Sequence, residues 1–380
     1  MNVENMKTLA DSLREQMGGR ENTLMLDGGD LWQGSGTSLW TRGVDMVEAS
    51  NILGIDVMVG HWEFTYRENE VLSNVALFKG DFIGQNVRVK EDSLMDDGYA
   101  KLVETYDGRG LYDEDTGHAF QPYVIREVGG ARICVVGQAF PRTANANPQE
   151  FFPDWSFGLR EDDMIELVEG IREDEKPDAI VLLSHNGMDV DVKMAERVPG
   201  LNAVFGGHTH DGVPKPLKVK NVEGNECLVT NAGSNGKFLG VMDFDIDGGK
   251  IKSMNYEMLP IFSEALPADK ELQAYIDQMR NTKYDENIIE SRVKKMYYNK
   301  KRLGKTYKEI LDEKLAIADG GDGAILVVDR LIGGVRDVDD LQSPVCHRDV
   351  VGVEHAAGIR SPRSQRGTHC LQGFKAGQRS

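Results

Sequence analysis

The chain has 380 residues, of which 40% are hydrophobic and 28% charged, an ordinary balance for a globular protein with enough chain for one large domain or two smaller ones. Asp plus Glu outnumber Lys plus Arg by 62 to 44, a formal charge of −18. That charge argues against nucleic acid or an anionic membrane as partner, yet leaves room for a small anionic substrate held by a metal. No run of about 18 apolar residues is present for a membrane span, and the polar first 19 residues lack the apolar stretch of a secretory leader.

The hydrophobic pattern predicts a helix over 6–17 and a buried strand over 23–30, then a helix over 44–54 and a strand over 55–60. A helix over 69–78 and a short strand over 81–87 follow. Residues 90–122 are polar and rich in Gly and Asp, and read as an excursion loop. Strands are predicted over 131–138, 178–185 and 201–208, separated by helices over 162–174 and 190–198. Strands alternating with helices imply right-handed crossovers and a mostly parallel sheet. After residue 226 three β-like segments follow one another without a helix, as in a second, more antiparallel sheet. The expected fold class is therefore an α/β sandwich of two mixed sheets flanked by helices.

Residues 266–314 read as a charged surface helix leading away from the domain. Residues 331–380 carry seven basic and five acidic residues, two of the four Cys and three of the eight His, and show no periodicity. A disordered tail accounts for this composition; a frame-shifted or artefactual end accounts for it better. The expected boundaries are a catalytic domain over 1–265, a helical linker and the start of a further domain over 266–318, and an atypical tail over 319–380. The four Cys (Cys134, Cys227, Cys346, Cys370) are too scattered for a zinc knuckle or a disulfide framework.

Polar residues with metal-ligating side chains end several predicted strands, the edge where parallel α/β sheets build their sites. Asp30 follows paired glycines in LDGGD, and is either a site carboxylate or a loop Asp capping the next helix. His185 in LLSHNG reads as a core group or as a ligand at the strand end. His61 in VGHWEFT reads as a packed ring beside Trp62 or as a further ligand. The strongest local signal is FGGHTHDG, where His208 and His210, in extended backbone, would point the same way.

These blocks, in this order, resemble the calcineurin-like metallophosphoesterase superfamily in its 5′-nucleotidase branch. GGDLWQGSGTSLWTRGVDMV, GHWEFTY, FIGQNVRVKED, GHAFQPY, GQAFPRT, PDWSFGLRE, LSHNGMDVD, GGHTHDGVP and TNAGSNGKFLGV together resemble the SoxB family of dimanganese thiosulfohydrolases, over about residues 4–318. The resemblance implies two divalent metals, expected to be Mn2+, with Asp30 as the bridging carboxylate. His61 falls where the branch has an Asn ligand, His185 and His208 would complete that shell, and His210 would serve the other metal. The DxH block of the branch is not present ahead of residue 6, so a missing first strand is expected. The first metal then keeps Asp30 and His210.

The His–Asp pair that assists phosphate ester hydrolysis in the branch falls on Trp62 and Thr65, which cannot act as acids near neutral pH. The implied reaction is hydrolysis of the terminal sulfonate of a Cys-bound thiosulfonate on the carrier protein SoxYZ, releasing sulfate by a metal-activated hydroxide. Arg42 would steer the anion, with a surface salt bridge as the plainer role. Trp32, Trp40 and Trp62 would line a channel, or would be core tryptophans. The resemblance further implies a periplasmic location and a monomer without nucleic-acid or membrane partners. Two other readings stay open: a 5′-nucleotidase-type phosphohydrolase, and an inactive metal-binding fragment.

Overall fold

The computed structural model describes residues 3–94, 97–106, 113 and 115–282. Thirteen strands are assigned among them: β1 (Leu26–Asp27), β2 (Val57–Met58), β3 (Asp81–Phe82), β4 (Arg88–Val89), β5 (Tyr123–Val128), β6 (Ala131–Gln138), β7 (Trp155–Ser156), β8 (Ala179–Ser184), β9 (Ala203–Gly206), β10 (Leu217–Lys220), β11 (Glu226–Asn231), β12 (Phe238–Asp247) and β13 (Lys250–Pro260). The α-helices are α1 (Val3–Gln16), α2 (Gly36–Thr41), α3 (Val44–Leu53), α4 (Glu68–Leu77), α5 (Glu91–Leu94), α6 (Asp97–Tyr106), α7 (Thr143–Ala146), α8 (Glu161–Gly170), α9 (Met188–Arg197) and α10 (Lys270–Asn281).

Strands β1, β2 and β3 form a parallel three-stranded sheet. A six-stranded sheet has the order β10-β11-β9-β8-β6-β5, parallel through its centre and antiparallel at both edges. Strands β12 and β13 pair as a long antiparallel hairpin, and β4 pairs with β7. All six residues of β8 are buried, as expected of a central parallel strand covered on both faces.

Three apolar clusters define the layers. Val57, Val59 and Ile83 meet Val135, Val181, Leu183 and Ala203 between the two sheets. The outer face of the three-stranded sheet packs an aromatic cluster, including Trp32, Phe64, Phe82, Phe120 and Trp155, against α3, α4 and α6. The outer face of the six-stranded sheet packs Cys134, Val136, Leu182 and Val204 against Met164, Val168 and Met194 of α8 and α9. This is helix on sheet on sheet on helix, the α/β sandwich that the pattern predicts, but the second sheet is not the expected one. It is the parallel β1-β2-β3, while of the three segments after residue 226 β11 joins the six-stranded sheet beside β9 and only β12 and β13 pair with each other.

Three details differ from expectation. Part of the predicted excursion loop over 90–122 is helical, as α5 and α6, because Tyr99 and Val103 reach the aromatic core at helical spacing. Strands β4, β5, β7 and β10 were not predicted. The segment after residue 265, expected to lead away from the domain, docks back onto it as far as it is described. Leu272 of α10 is fully buried, Tyr275 Oη donates to the Asp45 carbonyl at 3.0 Å, and Asn5 Nδ2 donates to the Leu266 carbonyl at 2.7 Å. The rest of the expected linker and the whole 319–380 tail lie outside the described residues.

Candidate metal centre

The C-terminal ends of four strands converge from both sheets. Asp30 follows β1, His61 follows β2, His185 follows β8 and His208 follows β9. One donor atom from each lies within 4.8 Å of every other. The sequence read all four as candidates, and the fold brings them together.

Asp30 adopts a left-handed backbone conformation (φ 66°), uncommon for a residue with a Cβ and a mark of a locally enforced geometry. Its Oδ1 lies 3.1 Å from His61 Nδ1, and its Oδ2 lies 3.1 Å from His185 Nε2. The two ring nitrogens are 3.2 Å apart. Burial pushes the Asp30 carboxyl up, but hydrogen bonds and charge from His185 and His61 outweigh it and hold the group well below the usual carboxylate range. For His185, burial lowers the pKa, while the Asp30 hydrogen bond and charge raise it further, so the ring sits above its ordinary value. Burial, then the like charges of His185 and His61, push His208 down to about 4.

These residues fit a metal cation. His185 Nδ1 is bonded to the Gly28 carbonyl, which can only accept, so Nδ1 carries the proton. In the neutral ring Nε2 is then a bare lone pair facing a carboxylate oxygen, and a cation between them removes that repulsion. The backbone carbonyl behind the ring is the usual second partner of a metal-ligating His. His61 Nε2 is buried without a hydrogen-bond partner. An Asp and three imidazoles suit Zn2+, Mn2+ or Fe2+. Gly29 makes the approach possible: at φ 95°, a Cβ there would fall 2.9 Å from His185 Nδ1 and 3.0 Å from the Val59 carbonyl.

His208 and His210 do not extend side by side as expected. Strand β9 stops at Gly206, the Thr209 amide donates to the Gly207 carbonyl at 2.8 Å, and both histidines turn into the left-handed region (φ 68° and 58°). His208 joins the group, whereas His210 is exposed and outside it. The Arg42 guanidinium lies 2.7 Å from Glu70 and 3.4 Å from the Tyr66 carbonyl. Trp32 is a fully buried core residue, while Trp62 is half-buried with its ring 4.6 Å from His61. Thr65 Oγ1 donates to the Trp62 carbonyl.

Two contributors escaped the sequence reading. Glu63 is fully buried and accepts from the amides of His61 (2.8 Å), Trp32 (3.0 Å) and Asp30 (3.2 Å), clamping both ligand loops of the three-stranded sheet. Its place two residues after His61 was the available signal. Phe140 stacks on His208 at 4.1 Å and lies 4.2 Å from His61, walling the group on one side. Its block, GQAFPRT, carries no His or carboxylate to mark it as part of the site.

No family model matches the chain. Among curated proteins it is 26% identical over 286 residues to the protein UshA of Yersinia enterocolitica, covering 67% of this chain and 47% of that one. Among solved structures, a Thermus thermophilus sulfate thiohydrolase SoxB is 32% identical with a TM-score of 0.61, over 73% of this chain and 46% of that one. A 5′-nucleotidase precursor, also from Thermus thermophilus, is 24% identical with a TM-score of 0.60, over 73% and 52%. The relatives and structural neighbours are metallophosphoesterases of the 5′-nucleotidase/UshA type. The fold is that of the calcineurin-like metallophosphoesterase domain. The chain spans about half the length of the curated relatives it matches. Among the described residues, no helix is long and apolar enough to cross a membrane.

Proposed function

We propose that this chain carries the catalytic core of a metal-dependent hydrolase acting on a Cys-bound thiosulfonate of the carrier SoxYZ, releasing sulfate. The observation that carries this reading is the position after His61. There the Trp62 indole lies against the His61 ring at 4.6 Å and 31°, and the Thr65 hydroxyl is turned onto a backbone carbonyl. No side chain at either position can protonate a poor leaving group. A substrate whose leaving group departs as a stable anion suits such a site. In the reaction a water oxygen bonds to the sulfonate sulfur, the bond between that sulfur and the next one breaks, its electron pair leaves with the carrier persulfide, and both water protons go to solvent. The similarity to the SoxB structure supports the same choice.

Asp30, His61, His185 and His208 would hold divalent metal, with His210 reserved for a second ion, and Mn2+ is the ion we assign. Bound metal would supply a water acidified to near neutral pH and a positive field for the developing charge. The chain's own part is to hold the ligand loops through Glu63, to fix the His185 tautomer through the Gly28 carbonyl, and to shield the rings with Phe140. Arg42 is proposed only as a long-range attraction for the anion. A periplasmic location, a monomeric state and the absence of nucleic-acid or membrane partners belong to the same reading.

A second reading, a 5′-nucleotidase-type phosphohydrolase, is favoured by the similarity to UshA and to the Thermus nucleotidase. The experiment supplies Mn2+ to the purified chain and follows sulfate release from a thiosulfonated carrier beside phosphate release from AMP. Faster sulfate release is expected. Phosphate release without sulfate release would transfer the assignment to the nucleotidases.

A further inference from the structure

A buried acid outside the ligand group spans the two strand ends that deliver His185 and His208. Asp191 lies in the first turn of α9 and is fully buried. Its Oδ1 accepts from Ser184 Oγ at 2.5 Å. Ser184 is the last residue of β8 and immediately precedes His185. Its hydroxyl in turn accepts from the Asn186 amide at 3.1 Å, so one side chain sets the backbone on both sides of His185. The other carboxyl oxygen, Oδ2, has no hydrogen-bond partner and lies against Gly206, the last residue of β9, where any Cβ would fall 2.5 Å from it. Ser184 and Gly206 are directly paired in the β8–β9 register. The Asp191 carboxyl therefore sits over the final rung of the two strands, one residue before His185 and two before His208.

Beyond the Ser184 hydroxyl and the Asn186 side chain, its surroundings offer an acid little stabilisation. Met194, Ala195, Val204 and Leu182 pack nearby as a buried apolar layer, and a polar group buried with one oxygen unpaired costs more than an apolar side chain of similar volume. We propose that Asp191 is a positioning residue of the metal centre, which fixes the separation of His185 and His208 by hydrogen-bonding Ser184 at the end of β8 and packing its other oxygen against Gly206 at the end of β9. The proposal rests on the reading of Asp30, His61, His185 and His208 as a metal site.

The test uses the 380-residue chain with Mn2+ alone as the probe, binding being read by calorimetry, and it needs no substrate. Asp191→Ala is expected to weaken Mn2+ binding about 10–100-fold, the usual range for loss of a group that orients a ligand. Asp191→Asn, whose amide oxygen can still take the Ser184 hydroxyl, should bind close to the parent. Should Asp191→Ala fail to fold, Ser184→Ala removes only the Oγ link and should weaken binding in the same direction. Ring nitrogen NMR of His185 and His208 in the metal-free protein gives a second readout. Both rings should shift in Ser184→Ala and return toward the parent in Asp191→Asn. Parent-like rings and parent-like Mn2+ affinity in folded Asp191→Ala or Ser184→Ala would overturn the proposal. Failure of the parent chain itself to bind Mn2+ would overturn the metal reading instead, and the ring shifts would still decide whether Asp191 positions the two histidines.

Discussion

The three-stranded sheet contributes Asp30 and His61 from strands two residues long, whereas the six-stranded sheet contributes His185 and His208 from strands of six and four residues. In the longer strands, ladder hydrogen bonds carry the register almost to the ligand, and only the last rung needs an outside tie. In the short strands the ladder ends three residues before each ligand. Position is then set by a buried side chain, Glu63, that takes three backbone amides from both loops. The difference shows where a fold can rely on regular structure to place a donor and where it must add a dedicated acceptor.

The largest effect should come from breaking that acceptor. Glu63→Ala leaves three amides without a partner, and each buried unsatisfied donor costs about 1–3 kcal/mol. A loss on the order of 3 kcal/mol or more is expected by urea denaturation, together with loss of Mn2+ binding. A loss under about 1 kcal/mol would mean that water replaces the clamp, and the contrast between the two sheets would collapse. Gly29→Ala attacks the seam between the halves. It forces a Cβ to φ 95° and to within 2.9 Å of His185 Nδ1, with an expected cost of about 1–3 kcal/mol and weaker metal binding. Unchanged affinity would show that His185 tolerates displacement.

A second acid in the same half sharpens the point through pH. Glu68 accepts from the amides of Asp154 and Trp155 at 2.8 and 3.1 Å, and burial pushes its carboxyl up to about 8. Its folded value lies above the unfolded value of 4.5, so the folded state holds the proton more tightly. The stability from this group is complete below the unfolded value and lost as pH rises through about 8. Glu68→Gln should flatten the stability profile over that window. An unaltered slope would assign it to other groups.

How far the sequence could be read follows from the same contrast. Asp30, His61, His185 and His208 each follow an apolar run, and alternation of strands with helices is enough to place such residues on one edge. Glu63 and Asp191 were not legible as tethers, because their role lies in which amides and hydroxyls they meet from residues up to 33 positions away. The extended reading of His208 and His210 failed because a tight turn at Gly207, a backbone hydrogen bond rather than a side-chain pattern, ends the strand early. Strand β10 was legible in principle, since Leu217, Lys218, Val219 and Lys220 alternate apolar and charged side chains, and it went unseen because the run is only four residues long.

The smallest effect concerns Arg42, the one residue assigned to steering rather than to the ligand loops. Its guanidinium is already engaged by Glu70 at 2.7 Å, and both side chains are partly exposed, at 20% and 33%. Exposed pairs of this kind contribute about 0–1 kcal/mol, so Arg42→Gln should barely move the denaturation midpoint. Neutralisation by Glu70 also weakens any field it projects toward the centre, and screening at physiological salt over about 8 Å weakens it again. The expected result is an unchanged KM for the anionic substrate at physiological salt, with a small rise that appears only at low salt. A large rise that persists at high salt would place Arg42 in direct contact with substrate, and the short-strand half would then supply recognition as well as ligands.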